Sequence, residues 1–105
     1  MTIYHETVWN YDSTPADIQH AADIGQPTMD PYIADGYCSS TDFYWEPGKP
    51  QGGGGLFTIR RVWTDYSKLT QWITEINAIR AADPIISAVC SDAAPHNDNN
   101  YNPPA

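Results

Sequence analysis

Positive charge is scarce in this chain: five Lys and Arg stand against 13 Asp and Glu, a formal net charge of −8. Nucleic-acid binding rests on clustered cations that displace counterions from phosphates, and an anionic membrane surface asks for the same. That balance excludes both as partners. Cysteine is nearly absent as well. Cys38 and Cys90 stand far apart, without a CxxC or other metal-ligand spacing. No stretch approaches the roughly 20 apolar residues of a membrane span. The opening "MTIYHETVWN" has neither the basic start nor the apolar run of a secretion signal. The expectation is a chain made in a cytoplasm, with two reduced, buried thiols.

What is present instead is aromatic. Four Trp, seven Tyr and two Phe in 105 residues must supply much of the core of a single domain. Nine prolines and seven glycines indicate long irregular connections. The acids are scattered singly (Glu6, Asp12, Asp17, Asp23), the pattern of a solvated surface rather than an acidic tail.

Periodicity gives the elements. "TIYHETVW" (2–9) reads as a first strand. "STPADIQHAADIG" (13–25) reads as a short helix, with Thr14 as cap, Pro15 at the first helical position and Gly25 at the C′ position. Asp35-Gly36 suggests a tight turn, and "DFYW" (42–45) a second strand. The segment 46–55, "EPGKPQGGGG", is an exposed connection leading to a strand over 56–63, "LFTIRRVW". Leu69, Trp72, Ile73, Ile76 and Ile79 then make a helical stripe, opened by Thr64 or Asp65 and closed by Pro84. "IISAVCS" (85–91) reads as a short buried strand. The order is β-α-β-β-α-β, an α+β chain for which a ferredoxin-like split βαβ is expected, with one sheet and two helices on one face. Residues 1–91 form the domain and 92–105 an extended C-terminal arm.

No pattern compels a chemistry. "GKPQGGGGL" fails as a phosphate loop because Lys49 precedes the glycines, no Ser or Thr follows, and a strand comes next. The glycines fit a mobile hairpin tip, or a backbone lying close to another surface. Asp17, His20 and Asp23 fall along one side of the first helix, but no further His or Cys supports a metal site. No G-x-S-x-G elbow is present, and neither cysteine has a neighbouring His. No catalytic, cofactor-binding or metal-ligating residue is therefore assigned, and no cofactor is expected. By strand alternation Arg61 shares the more apolar face with Phe57, Ile59 and Trp63, at the core edge, while Arg60 takes the open face. In "DFYWEP", Phe43 and Trp45 share one side and Tyr44 takes the other, and one of the two sides is expected to be core.

Two resemblances follow from these segments. "FTIRRVWTDYSKLTQWITEINAI" resembles the strand-helix unit of the dimeric ferredoxin-like family that includes antibiotic-biosynthesis monooxygenases, without that family's catalytic residues. Taken with "YDSTPADI" and "ISAVCSD", it also resembles small virion-associated structural proteins of tailed bacteriophages. The second resemblance implies a non-enzymatic subunit, assembled in a host cytoplasm and present in several copies against other protein subunits. Its contact residues are expected in the aromatic strand, the Gly-rich loop, the open sheet face and the arm: Tyr44, Lys49, Gly53, Gly54, Arg60, His96, Tyr101 and Pro103. The alternative is a small cofactor-independent enzyme or ligand binder of the dimeric ferredoxin-like type.

Overall fold

The computed structural model describes residues 3–46 and 54–96. Within them the chain runs β1 (Ile3–Asn10), α1 (Pro15–Ala34), β2 (Cys38–Trp45), β3 (Leu56–Trp63), α2 (Tyr66–Ala82), α3 (Pro84–Val89) and β4 (Cys90–Asp92). The architecture is α+β. Among the described residues it comprises three helices and one four-stranded sheet, ordered β2-β3-β1-β4 with all neighbours antiparallel.

The β1–β3 pair is the spine of the sheet, in register over eight positions from Ile3↔Trp63 to Asn10↔Leu56. Alternation sends Ile3, His5, Thr7 and Trp9 to the same face as Trp63, Arg61, Ile59 and Phe57. That face meets the helices, as the sequence predicts. Trp63 is fully buried against Met29 and Tyr32 of α1 and Leu69, Trp72 and Ile76 of α2. A second cluster, Ala21, Ile86, Val89 and Cys90, ties α3 and β4 to the start of α1. Burying each such large side chain contributes about 1.5–3 kcal/mol.

The stripe on α2 behaves as read. Asp65 caps the helix, its Oδ1 accepting from the amides of Ser67 at 2.9 Å and Lys68 at 3.3 Å. α1 starts as expected too, with the Thr14 hydroxyl accepting from Asp17 N. It does not stop at Gly25. It continues through Gly25, Pro27 and Pro31 to Ala34, because Met29 and Tyr32 bury themselves in the Trp63 cluster and outweigh the poor propensities. Asp35-Gly36 is accordingly a helix end rather than a hairpin turn. Gly36 takes φ +81°, while Tyr37 N donates to Tyr32 O at 2.9 Å and Gly36 N to Ile33 O at 3.1 Å. These are the paired bonds of a Schellman cap.

The last expected strand is also corrected. Asp83 Oδ1 accepts from Ile85 N, and Pro84 occupies the first turn, so "PIISAV" winds into α3. Only Cys90–Asp92 remain as strand, paired with Thr7–Trp9. Beyond them Ala93 N donates to Glu6 O at 3.0 Å, and Tyr4 and His96 exchange backbone bonds at 2.7 and 3.0 Å. Residues 92–96 thus run along β1.

The two helix glycines should respond with opposite signs. Gly36→Ala places a side chain at positive φ and should destabilise by about 1 kcal/mol, whereas Gly25→Ala, where a Cβ meets nothing within 4 Å, should stabilise by up to about 1 kcal/mol. Urea unfolding of both variants checks this; a destabilising Gly25→Ala would contradict the continuous α1.

Candidate functional site

The β1–β3 register places charged residues at the middle of the sheet on both faces. On the helix side His5 lies opposite Arg61, and on the open side Glu6 lies opposite Arg60.

On the helix side the carboxylate of Asp92 gathers the group. Arg80 from α2 grips it with both terminal nitrogens, at 2.6 and 3.2 Å. Thr7 Oγ1 donates to it at 3.0 Å and in turn accepts from Arg61 Nη1 at 3.2 Å. Arg61 is buried rather than set at the core edge, at 6% exposure. His5 is fully buried, edge-on to Trp72 with ring centroids 5.4 Å apart. Its Nε2 stands 3.8 Å from Asp92 Oδ1, too far for a hydrogen bond. Neither ring nitrogen has a hydrogen-bond partner among the described residues. A cavity of about 30 Å³ adjoins the group, lined by Thr7, Gly25, Met29, Arg61, Trp72 and Arg80 among others.

On the open face Arg60 sits over the Tyr4 ring, its guanidinium carbon 3.8 Å from the centroid, between Glu6 at 3.9 Å and Asp42 at 3.5 Å. His96 Nε2 meets Glu6 Oε1 at 2.8 Å, and its ring stacks on Tyr4. Arg60 and Glu6 are both buried, so this face carries a closed ionic cluster.

The third arrangement lies at the far end of β2 and β3. Phe57, Trp45, Phe43 and Tyr11 form one ring cluster. Trp45 and Phe57 have centroids 4.7 Å apart, Phe43 and Phe57 6.3 Å, and Tyr11 and Trp45 5.1 Å. Phe43 and Trp45 do share the helix-facing side, but no helix covers Phe43, which is 61% exposed. These rings pack on one another instead of entering the main core.

Of the eight expected contact residues, Tyr44, Gly54, Arg60 and His96 fall within the described residues. Lys49, Gly53, Tyr101 and Pro103 lie outside them. Tyr44 is half-buried opposite Thr58. At Gly54 the backbone lies close to another surface: φ is +86°, and a Cβ would fall 2.6 Å from Asp12 Oδ1. That oxygen also accepts from Gly55 N at 2.9 Å. The Asp17, His20 and Asp23 row does not converge. His20 binds Asp83 at 2.7 Å, Asp23 accepts from Gln19, and no His, Cys, Asp and Glu group among the described residues is arranged to hold a metal. The Thr7–Arg61–Arg80–Asp92 group has no signature in the sequence, because its members share no spacing. Arg61 on an apolar strand face was the available signal.

With this geometry in place, no family model, curated protein or solved structure gives a match to the chain. Among the described residues no helix is long and apolar enough to cross a membrane. Both thiols are free and buried, and burial pushes Cys38 up to about 11 and Cys90 up to about 12. They lie on opposite edge strands, separated by roughly 14 Å across the sheet at the usual strand spacing and further offset along it, with Cys38 level with Ile3 and Cys90 level with Trp9, beyond disulfide reach.

Burial holds the His5 imidazole below its ordinary value of 6.5, with Asp92 opposing and Arg61 reinforcing the shift. The folded state thus binds the proton more weakly than the unfolded chain. The stability His5 contributes is complete above the unfolded pKa and is lost as pH falls below it toward the folded value. Urea titrations from about pH 7.5 to 5.5 should show wild type losing stability relative to His5→Leu. A difference constant across that window would contradict the neutral, buried imidazole.

Proposed function

We propose that this chain is a non-enzymatic structural or accessory subunit of a larger assembly, presented in several copies against other protein subunits. The observation that carries the reading is the aromatic cluster at the end of β2 and β3. Tyr11, Trp45 and Phe57 support an outward Phe43 at 61% exposure. Rigid aromatic side chains of this kind anchor protein contacts, because they offer large apolar area with few rotamers to freeze. The patch adjoins the outer side of β2, an edge strand of the sheet. Its backbone groups can take a further strand, and the bulge between Ser40 and Asp42 restricts where one fits.

The scaffold supports the same reading. β1 and β2 are separated by β3, and β3 and β4 by β1. We read this interleaving as a variant of the ferredoxin-like split βαβ, with α3 inserted before the last strand. The particle is a bacteriophage virion by the resemblance of the "YDSTPADI", "RRVW" and "ISAVCSD" segments, with assembly in the host cytoplasm. Tyr44, Gly54 and His96, together with Lys49, Gly53, Tyr101 and Pro103, are proposed as contact residues in addition to the patch, and Arg60 holds Glu6 and Asp42 on the open face of the sheet. A ligand-binding role of the dimeric ferredoxin-like type is the second reading, favoured by the cavity beside Arg61 and Arg80.

Light scattering after gel filtration tests the assembly role. The full chain should form multimers at micromolar concentration, and Phe43→Asp should shift them toward monomer while changing unfolding stability by no more than about 0.5 kcal/mol. A monomer at every concentration, indifferent to Phe43→Asp, removes the multi-copy reading.

A further inference from the structure

The helix-facing side of the sheet holds more buried positive than negative charge. Arg61 and Arg80 are cations, while among the described residues Asp92 is the one carboxylate bonded within the group. Asp92 spends both oxygens on Arg80 and Thr7. Arg61, 6% exposed, makes a single hydrogen bond among the described residues, to the neutral Thr7 hydroxyl, and its Nε has no partner. Arg80 Nε is likewise without one. His5 adds no negative charge, and Glu6 points to the opposite face.

A buried cation short of acceptors usually escapes the desolvation cost by losing its proton. Arginine has no such exit, because its guanidinium stays protonated under all ordinary conditions. The remaining remedy is an anion. The cavity beside the two guanidiniums, about 30 Å³, exceeds the roughly 10–15 Å³ that one water requires. Most of its wall is apolar, including Met29, Trp72, Ile76 and Ile86, so a charge placed there is weakly screened.

Gly25 completes the arrangement. It lies mid-helix, where glycine is unfavourable, and no tight packing or positive φ demands it, since a Cβ there would meet nothing within 4 Å. It lines the cavity together with the exposed Gln26. The missing side chain leaves that wall open.

We propose that the cavity between the sheet and α1 binds one small monovalent anion, a halide or a one-carbon carboxylate, with Arg61 and Arg80 as its cationic partners and Gly25 as its portal. This site stands apart from the aromatic contact patch and serves whichever assembly the chain enters.

The test uses the full chain in sodium chloride, sodium formate or sodium gluconate at equal ionic strength, gluconate being too large to enter. The Tm should rise saturably with chloride or formate relative to gluconate. The relative sizes of the two rises separate a halide site from a carboxylate site. Wild-type protein should also broaden the ³⁵Cl resonance, and formate should compete that broadening away. Gly25→Leu, which sets a bulky side chain at the cavity lining, should reduce the excess line width about tenfold, as should Arg61→Gln. Identical Tm values in the three salts and no excess line width in wild type overturn the proposal without recourse to a variant. Broadening that survives Gly25→Leu overturns it too, because the ion then sits elsewhere. If Arg61→Gln does not fold, the wild-type salts and Gly25→Leu still decide.

Discussion

Asp92 holds together parts of the chain that have little other reason to meet. β4 is only three residues long, and three residues of ladder hardly fix a strand. The Asp92 carboxylate supplies what the ladder lacks: two charged bonds to Arg80 of α2 and one to Thr7 of β1. Bidentate pairs of this kind are directional as well as strong. The last strand, the second helix and the central strand are therefore fixed relative to one another through one side chain. The residues that follow, as far as His96, can then run along β1. Removing the carboxylate would strand Arg80 in a site where its side chain is only 11% exposed, a cost of several kcal/mol by the usual behaviour of broken buried pairs.

The chain divides sharply into parts whose sequence announces their structure and parts whose sequence conceals it. α2 is plain to read, because its apolar positions repeat without interruption and Asp65 and Pro84 stand at its limits. β3 is plain for the same reason at period two. α1 is half hidden: a glycine and two prolines within seven positions look like termination, and only tertiary burial of Met29 and Tyr32 carries the helix past them. α3 is hidden by ambiguity, since a short run such as "IISAV" fits a strand or a helix equally until Asp83 is seen to cap it. The polar group around Asp92 was not legible at all. Its members come from β1, β3, α2 and β4, and only the fold gives them proximity.

The aromatic patch shows a different limit. That Phe43 and Trp45 share a side follows from alternation, and the structure has them so. Whether that side is buried depends on how far the helices extend over the sheet, which no local pattern encodes. Here α1 packs against α3 and the Trp63 cluster, and among the described residues Phe43 of β2 is left exposed. A chain rich in rings but short of long aliphatics can leave such a cluster standing because the rings partly shield one another.

The placement of charge on both faces of β1 and β3 also acts as a register lock. In most sheets a slip by one residue is opposed by apolar side chains turning to water. Here the same slip would carry Glu6 beneath the helices, into the layer of Trp63 and Trp72, and turn His5 outward beside Arg60. Glu6 would lose Arg60 and His96 and enter an apolar layer as an unpaired charge. The spine is thus held in register by electrostatics as well as by hydrophobicity, and a β1–β3 ladder shifted by one residue forfeits both.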